Sequence, residues 1–228
     1  MIRKTWDELP EDLRREEVRP YYDLLRKRKG ALFLKRLGDV LGSAALLALL
    51  WPVLGIIGAI VRLDSPGPAL FRQVRITQYG RPFRLLKFRT MTACAQQTGP
   101  ALTVGEDRRI TRCGAWLRKW RLDELPQLVN ILRGEMTFVG TRPEVPRYVR
   151  GYTPEMLATL LLPAGVTSEA SIRYREEARL LAGPGDVDEI YLREILPGKM
   201  AWNLAYLEGF SLREDLRILL RTILAVFH

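Results

Sequence analysis

The chain has 228 residues, of which 47% are hydrophobic and 27% charged, and this composition excludes an intrinsically disordered protein. Two cysteines and one histidine exclude an ordinary zinc site, a disulfide framework and a histidine base, so any chemistry depends on carboxylates, lysine, arginine or a hard metal ion. The formal net charge is +10, and residues 62–121 alone hold 13 Lys and Arg against 3 Asp and Glu, which predicts a surface that meets an anionic partner.

The first 30 residues are rich in Glu and Arg and predict short helices that lead into a long apolar segment. From Val40 to Val61 the chain carries no charge over 22 residues. A helix of that length is about 33 Å long, enough for the roughly 30 Å hydrocarbon core of a bilayer. We therefore predict a membrane helix, with a buried core helix as the alternative.

Two features favour a re-entrant helix over one that crosses the membrane. Pro52 lies near the middle of the segment, where it removes a backbone hydrogen bond and predicts a kink. Basic residues flank both ends of the segment, and the positive-inside tendency places both ends on the cytoplasmic side. We expect a bent helix that enters and leaves by the same face, and a straight span is the alternative.

Turn signals divide residues 62–150 into short pieces. The apolar pieces 69–71 and 83–88 predict brief strands. Helical periodicity predicts helices over about 108–120, 124–133, 154–162, 187–206 and 211–227. The sequence thus predicts an α+β, mainly helical fold.

The last predicted helix has an amphipathic pattern. Arg213, Arg217 and Arg221 recur every four residues, and leucines lie mostly on the other side. Such a helix either lies in the membrane interface or packs on a core as an ordinary surface helix.

Adjacent carboxylates, Asp123 and Glu124, follow the basic block and precede Pro126. Asp at an N-cap, Glu in the first turn and an early Pro are typical of a helix start. The same pair suits coordination of a hard cation and a carboxylate nucleophile. Both interpretations stay open, and they are compatible because a helix N-terminus also stabilises phosphate oxygens.

Seven short motifs follow one another between residues 35 and 227: Lys35-Arg36, Asp64-Ser65-Pro66-Gly67-Pro68, Phe71-Arg72-Gln73-Val74-Arg75, Lys87-Phe88-Arg89-Thr90-Met91, Asp123-Glu124-Leu125-Pro126-Gln127-Leu128, Gly134-Glu135-Met136 and Arg142-Pro143. In type and order they resemble the motifs of the monotopic phosphoglycosyl transferases, also called bacterial sugar transferases. Three departures occur. Thr141 replaces the first proline of a Pro-Arg-Pro element, residues 163–171 differ from the common Pro-Gly-Ile-Thr-Gly segment, and Trp51 replaces the serine that usually precedes the helix proline.

The resemblance implies transfer of a sugar 1-phosphate from a UDP-sugar to polyprenyl (undecaprenyl) phosphate, which gives polyprenyl-diphosphate sugar and UMP. This is the first membrane step of bacterial glycan assembly, at the cytoplasmic face of the inner membrane, by a monotopic protein. The resemblance further implies that Asp123 attacks the sugar-linked phosphate and forms a covalent intermediate, and that Glu124 with Asp123 holds Mg²⁺. Lys87 and Asp215 match positions needed for activity in the family.

A further set is predicted to bind the phosphates or the nucleotide: Arg75, Arg89, Arg142, Pro143, Arg173 and Arg175. For Arg173 and Arg175, solvated surface charge is the alternative. The predicted units are an N-terminal helical extension (1–34), a re-entrant membrane helix (35–62) and a small catalytic domain with short strands and interfacial helices (63–228).

The expected partners are the UDP-sugar donor, the polyprenyl phosphate acceptor and the lipid bilayer, without nucleic acid, and a homodimer is left open. The alternative function is a non-enzymatic, membrane-tethered basic protein that binds nucleic acid or anionic lipid, with a steep salt dependence. A phosphohydrolase or kinase is disfavoured, because neither a Gly-rich phosphate loop nor the kinase motifs occur.

Overall fold

The computed structural model describes residues 1–2, 4–92, 107, 109–181 and 185–227. Helix dominates these residues and the sheets are small, which confirms the α+β, mainly helical prediction. The α-helices are α1 (Arg19–Lys27), α2 (Lys29–Asp64), α3 (Arg112–Lys119), α4 (Gln127–Arg133), α5 (Pro146–Val149), α6 (Glu169–Arg173), α7 (Glu177–Leu180), α8 (Val187–Ile190), α9 (Leu196–Glu208) and α10 (Leu212–Phe227). The strands are β1 (Leu70–Ile76), β2 (Pro82–Phe88), β3 (Met136–Val139) and β4 (Ala164–Thr167).

The segment before the long helix folds back onto the globular part of the chain. It contains a 3₁₀ turn (Glu11–Leu13) and α1, as the composition of these residues predicts. Its apolar side chains are buried in one cluster with residues of α9 and of the 3₁₀ segment Met156–Leu161. Arg28 Nη1 donates to the carbonyl of Phe210 (2.6 Å), which ties the start of α2 to the end of α9.

α2 is an uninterrupted helix of 36 residues that contains Pro52. An 18-residue stretch of it has a mean hydropathy of 2.5, and only 11% of that stretch is buried. The predicted long apolar helix is thus confirmed, whereas its re-entrant path stays a prediction. Its outer face presents a row of exposed apolar side chains: Leu41, Leu46, Leu49, Trp51, Val53, Ile56, Ile60 and Leu63.

The inner face of α2 packs on the globular part near its start and near its end, where its buried residues lie. Near its start, Asp39 accepts hydrogen bonds from Thr137 Oγ1 (2.7 Å) and Phe138 N (3.1 Å). Near its end, Ile57 and Val61 are buried in a cluster with β2 and α3. Both ends of the apolar helix are therefore fixed to the same body.

The two predicted brief strands are confirmed as β1 and β2, of which β1 is longer than predicted. They form an antiparallel hairpin, from Leu70 opposite Phe88 to Ile76 opposite Pro82. The chain reverses through Tyr79 and Gly80, which have φ values of 60° and 72° in the left-handed region. The buried side of β2 packs on α4. Because strand side chains alternate between the two faces, this packing fixes which side chains at the C-terminal end of β2 point toward α4.

β3 and β4 pair in parallel, with Met136 opposite Ala164 and Val139 opposite Thr167, and neither strand was predicted. At their crossing, a Cβ on Gly165 would meet the backbone of Gly140. Only glycine therefore fits this close approach.

Several predicted helices have different bounds in the structure. The helix predicted over 108–120 is α3, which begins at Arg112, and residue 108 lies outside the described residues. The helix predicted over 124–133 is a 3₁₀ turn (Leu122–Glu124) followed by α4. The pattern over 187–206 is α8, a π-helical turn (Tyr191–Ile195) and α9 in succession, and α10 matches the last predicted helix.

The helix predicted over 154–162 is a shorter 3₁₀ helix, Met156–Leu161. Pro163 follows directly after this segment, and a proline disfavours α geometry in the residue before it. The short apolar stretch is consequently buried as a tight turn instead of a regular helix.

Candidate active site

The carboxylate pair lies on a short turn between α3 and α4. Arg121, at the end of α3, has a φ of 56°, so the chain reverses there and enters the 3₁₀ turn Leu122–Glu124. Pro126 then precedes the first residue of α4. The helix-start interpretation is confirmed in part: α4 begins directly after these residues, but Asp123 lies inside the 3₁₀ turn and the N-cap residue of α4 is Pro126. The turn directs both carboxylates into the protein.

Three cations surround Glu124, and together we call them the cation cluster. Lys87 Nζ donates to Oε1 (3.0 Å), Arg142 Nη1 donates to Oε2 (3.1 Å) and Nη2 to Oε1, and Arg121 Nη1 lies 3.7 Å from Oε1. Burial alone would raise the pKa of Glu124, but the charges of Arg142 and Lys87 outweigh burial and hold the pKa well below its usual range. Glu124 is therefore ionised and holds the cations together.

Asp123 differs from its neighbour in being unpaired. Its side chain is buried, and Oδ1 has no hydrogen-bond partner among the described residues. Burial raises the pKa of this carboxyl above its ordinary value, while the positive charge of Lys87 acts in the opposite direction. A buried carboxylate oxygen without a donor, beside a cluster of cations, is available to a ligand or a reacting atom.

Lys87 reaches Glu124 because α4 holds β2 in place. Asn130 of α4 accepts from Leu86 N (3.0 Å) and donates to the carbonyl of Arg84 (2.9 Å), so one amide side chain brackets the strand. Burial lowers the pKa of the Lys87 ammonium, an effect that the charge of Glu124 opposes.

Arg142 and Pro143 lie on the loop after β3. Arg142 Nη1 also donates to the carbonyl of Val166 in β4 (3.0 Å), so this arginine connects the parallel strands to Glu124. Arg75 Nη1 donates to the carbonyl of Pro143 (3.0 Å) and lies 3.7 Å from Glu144. These contacts attach the loop to β1.

Two other predicted site residues, Arg89 and Arg173, lie elsewhere. Arg89 donates to the carbonyls of Val61 (3.1 Å) and Ser65 (2.5 Å), at the end of α2. Arg173 is paired with Glu169 (2.7 Å) and stacked on an indole ring. The structure brings neither of them to the carboxylate pair, and their contact with phosphate stays a prediction.

Asp215 is buried at the start of α10, where Lys35 Nζ (2.6 Å) and Tyr206 Oη (2.6 Å) donate to its two oxygens. Thr222, seven residues later in α10, lines the cavity described next, and seven residues correspond to about 10 Å along a helix. The structure thus places Asp215 in a separate buried ion pair.

A cavity of about 540 Å³, which we call the central cavity, opens beside the cation cluster. Its polar wall includes Lys119, Arg121, Glu124, Arg142 and Arg175. Its apolar wall comes from α2, α4, the β-strands and α10, and includes Leu46, Leu50, Leu128, Ile131, Phe138 and Ala225. The cavity therefore combines a mainly cationic wall, which suits phosphate, with an apolar wall, which suits a hydrocarbon chain.

Some site residues were not predicted. Gln127 lines the central cavity, is almost fully buried, and has no partner for either amide atom among the described residues. Lys199 lines it too, 3.0 Å from Glu177. Gln127 belongs to the motif that begins at Asp123, and Arg121 lies two residues before that aspartate, so sequence position could have indicated both. Nothing in the sequence singles out Lys199.

The donor set for a metal ion consists of two neighbouring carboxylates. No group of three or more His, Cys, Asp or Glu side chains gathers among the described residues. Mg²⁺ usually keeps several waters and binds through one or two carboxylates plus substrate phosphates, so the Asp123 carboxylate, with its unpartnered Oδ1, fits such an ion. Glu124 would have to share its oxygens with Lys87 and Arg142.

Residues 30–228 match the profile of the family described as bacterial sugar transferase. The chain belongs to this family. It is 39% identical over 194 residues to a UDP-glucose:undecaprenyl-phosphate glucose-1-phosphate transferase of Caulobacter vibrioides, covering 83% of this chain and 68% of the relative. It is 35% identical over 159 residues to a putative undecaprenyl-phosphate N-acetylgalactosaminyl 1-phosphate transferase of Bacillus subtilis, covering 69% and 87%.

A third bacterial sugar transferase, a UDP-glucose:undecaprenyl-phosphate glucose-1-phosphate transferase of Escherichia coli, is 31% identical over 220 residues. That match covers 95% of this chain and 45% of the relative. Family membership confirms the resemblance drawn from the motifs and shows that this protein is a transferase. The alternative of a non-enzymatic protein that binds nucleic acid or lipid finds no support.

Proposed function

We propose that this bacterial sugar transferase transfers a sugar 1-phosphate from a UDP-sugar to undecaprenyl phosphate. The observation that carries the proposal is the unpartnered Asp123 Oδ1 next to the cation cluster. Glu124 and the cluster residues Arg121 and Arg142 line a cavity whose other wall is apolar. A diphosphate donor needs cations, and a polyprenyl chain needs an apolar contact. The substrates come by similarity from two relatives, matched over 83% and 95% of this chain, that are named UDP-glucose:undecaprenyl-phosphate glucose-1-phosphate transferases.

In the first step, Asp123 Oδ1 attacks the phosphorus bonded to the sugar. A new carboxylate oxygen–phosphorus bond forms, the bond from that phosphorus to the bridging oxygen breaks, and UMP leaves with the electron pair. Lys87, Arg121 and Arg142 neutralise charge on the phosphate oxygens, which is the principal requirement of phosphoryl transfer. No proton has to be moved, in agreement with a site that lacks histidine.

In the second step, a phosphate oxygen of undecaprenyl phosphate attacks the same phosphorus. The bond to Asp123 breaks, the carboxylate is restored, and polyprenyl-diphosphate sugar is released. Each step replaces one phosphorus–oxygen bond by another, so atoms and charge balance without a further reactant. Glu124 keeps the cation cluster in place through both steps.

Asp123 and Glu124 are also the residues that would hold Mg²⁺. When bound there, the ion supplies additional charge neutralisation at the phosphate oxygens. The other oxygen of Asp123 and the neighbouring carboxylate of Glu124 would supply the protein part of its coordination.

The membrane part of the proposal rests on exposed apolar surface. The outer face of α2 and a row on α10 (Leu212, Leu216, Leu220, Ile223 and Leu224) are exposed, which suits contact with lipid. Because α2 is attached to the globular part near both ends, a re-entrant path at the cytoplasmic face fits better than a crossing that separates those ends. A homodimer stays a prediction.

The test is intact-mass measurement of the purified protein after incubation with Mg²⁺ and a UDP-sugar, without acceptor. UDP-glucose and UDP-N-acetylgalactosamine come first, because relatives are named for these sugars. We expect a mass increase of one sugar phosphate, release of UMP, and loss of both in Asp123→Asn. Asp12→Asn, an exposed aspartate on the N-terminal segment, is the matched control.

Addition of undecaprenyl phosphate should then remove the added mass and give the lipid product. A labelled Asp123→Asn protein, or equal turnover by this variant and the control, would exclude the covalent mechanism. Release of UMP without a lipid-linked product would instead indicate a hydrolase.

A further inference from the structure

A second cavity, of about 360 Å³, lies where the N-terminal segment, α2, the β1–β2 turn and the end of α4 meet. We call it the basic cavity. Its charged lining residues are Lys4, Arg36, Arg81 and Arg133, and no carboxylate is among the described residues that line it. It shares no lining residue with the central cavity, so it is a separate feature of the molecule.

Three of the four cations contact neutral groups of the protein. Arg36 donates to the carbonyls of Ile131 (2.7 Å) and Leu132 (3.0 Å), and Arg81 Nε donates to the carbonyl of Gln78 (3.4 Å). Lys4 Nζ lies 5.4 Å from the centre of the Tyr79 ring. Carbonyls and a ring orient a cation but do not cancel its charge, so the lining has an excess of four positive charges.

Two carboxylates lie near these cations, and both are engaged elsewhere. Glu8 influences Lys4 electrostatically but accepts a hydrogen bond from Thr5 N (2.7 Å). Asp39, one helical turn after Arg36, accepts from Thr137 Oγ1 and Phe138 N. The described ion pairs include none between a lining cation of the basic cavity and a carboxylate.

The position of Arg36 sets the depth of the basic cavity relative to a bilayer. Arg36 lies four residues before Val40, where the uncharged stretch of α2 begins, and four residues correspond to about 6 Å of helix. A group one turn outside the hydrocarbon lies at the level of the lipid phosphates. Gly134 permits the close approach here, because a Cβ on it would lie 3.3 Å from Arg36 Nη2.

We propose that the basic cavity binds the phosphate group of an anionic phospholipid. Lys4 precedes the region that matches the family, so the N-terminal segment completes this site. Arginine and lysine side chains provide charge-assisted hydrogen bonds to phosphate oxygens, and the volume accommodates a headgroup. The inference depends on the membrane association proposed above but not on the transfer reaction.

The test uses the full chain in a nonionic detergent, without UDP-sugar, and native mass spectrometry to count retained lipids. Phosphatidylglycerol and phosphatidylcholine are titrated separately. We expect one retained phosphatidylglycerol per chain at concentrations where phosphatidylcholine is lost. The double variant Arg81→Gln/Arg133→Gln should bind phosphatidylglycerol at least about tenfold more weakly, because it removes two charged donors.

The matched control is Arg14→Gln/Arg150→Gln, which removes two exposed arginines outside the basic cavity and should keep the affinity within about twofold. Competition by inorganic phosphate at the lipid's own concentration would assign the site to a soluble phosphate and overturn the lipid assignment. Equal retention of both lipids, or equal affinity of the two double variants, would overturn the site itself. Lys4→Gln, an exposed single change, replaces the double variant if the latter does not fold.

Discussion

Replacing Lys35 by methionine tests whether Asp215 acts in the fold or in the reaction. Lys35 and Asp215 are buried and joined at 2.6 Å, and Tyr206 donates to the other oxygen of Asp215. Methionine matches the shape of lysine but removes its charge, so Lys35→Met leaves the carboxylate buried with one neutral donor. Removing one partner of a buried ion pair costs about 3 to 5 kcal/mol.

For a chain of this length, each kcal/mol corresponds to a shift of about 2 to 4 °C in Tm, so Lys35→Met should lower Tm by about 6 to 20 °C. Thermal unfolding in detergent, followed by circular dichroism, measures this. The double variant Lys35→Met/Asp215→Leu should recover most of the stability, because an apolar pair can replace a buried ion pair at little cost. A Tm for Lys35→Met within about 2 °C of the native protein would refute the reasoning.

Turnover of the double variant separates the two roles of Asp215. If Asp215 only positions α10 against α2, recovered stability brings recovered release of UMP. If stability returns and UMP release does not, Asp215 has the catalytic role that the family resemblance implies, and the ion pair is not its only function.

Three further predictions concern the reaction, the packing and the membrane. The rate at limiting UDP-sugar should have a bell-shaped dependence on pH. Activity is lost as pH falls through the raised pKa of Asp123, and it is also lost as pH rises through the lowered pKa of Lys87. Lys87→Arg should move the alkaline limb of the profile to higher pH. Gly165→Ala should lower the free energy of unfolding in urea by about 1 to 3 kcal/mol, because the added Cβ meets the backbone of Gly140. Gly38→Ala, in open space within α2, should raise it by up to about 1 kcal/mol. Equal effects of the two changes would contradict the close approach of Gly165 to Gly140. In a variant that retains only Trp51, which is exposed on α2, lipids brominated in the acyl chain should quench the tryptophan fluorescence. In a variant that retains only Trp6 of the N-terminal segment, the same lipids should leave the fluorescence unchanged. Equal quenching in the two variants would exclude the proposed orientation.

Hydropathy and alternation predicted the elements whose signal is local. The uncharged run 40–61 is long enough to identify α2, and the apolar pieces 69–71 and 83–88 identify two strands, although their pairing was not predicted. β3 and β4 have four residues each and pair in parallel across an intervening 24-residue connection. A four-residue strand contains too few alternations to be distinguished from a loop, so tertiary contacts alone define these two.

The candidate site shows the same limit. Lys87 and Glu124 are 37 residues apart, and no periodicity relates them; their 3.0 Å contact depends on Asn130 holding β2 against α4. Family resemblance indicated both residues, whereas composition and charge alone indicated only the carboxylate pair and a basic block. Charge counting also gives no position for the members of that block: Arg89 donates to backbone carbonyls at the end of α2, away from the carboxylate pair.

The docking of the N-terminal segment on α9 has a consequence for biosynthesis. Tyr22 and Phe210 share one buried cluster but lie 188 residues apart in the chain. At 5 to 20 residues per second, a ribosome needs about 10 to 40 s to make the intervening chain. During that interval the cluster lacks the residues of α9 and Phe210, whereas the whole of α2 has already been synthesised. The membrane insertion of α2 proposed above can therefore begin before the N-terminal segment completes its packing.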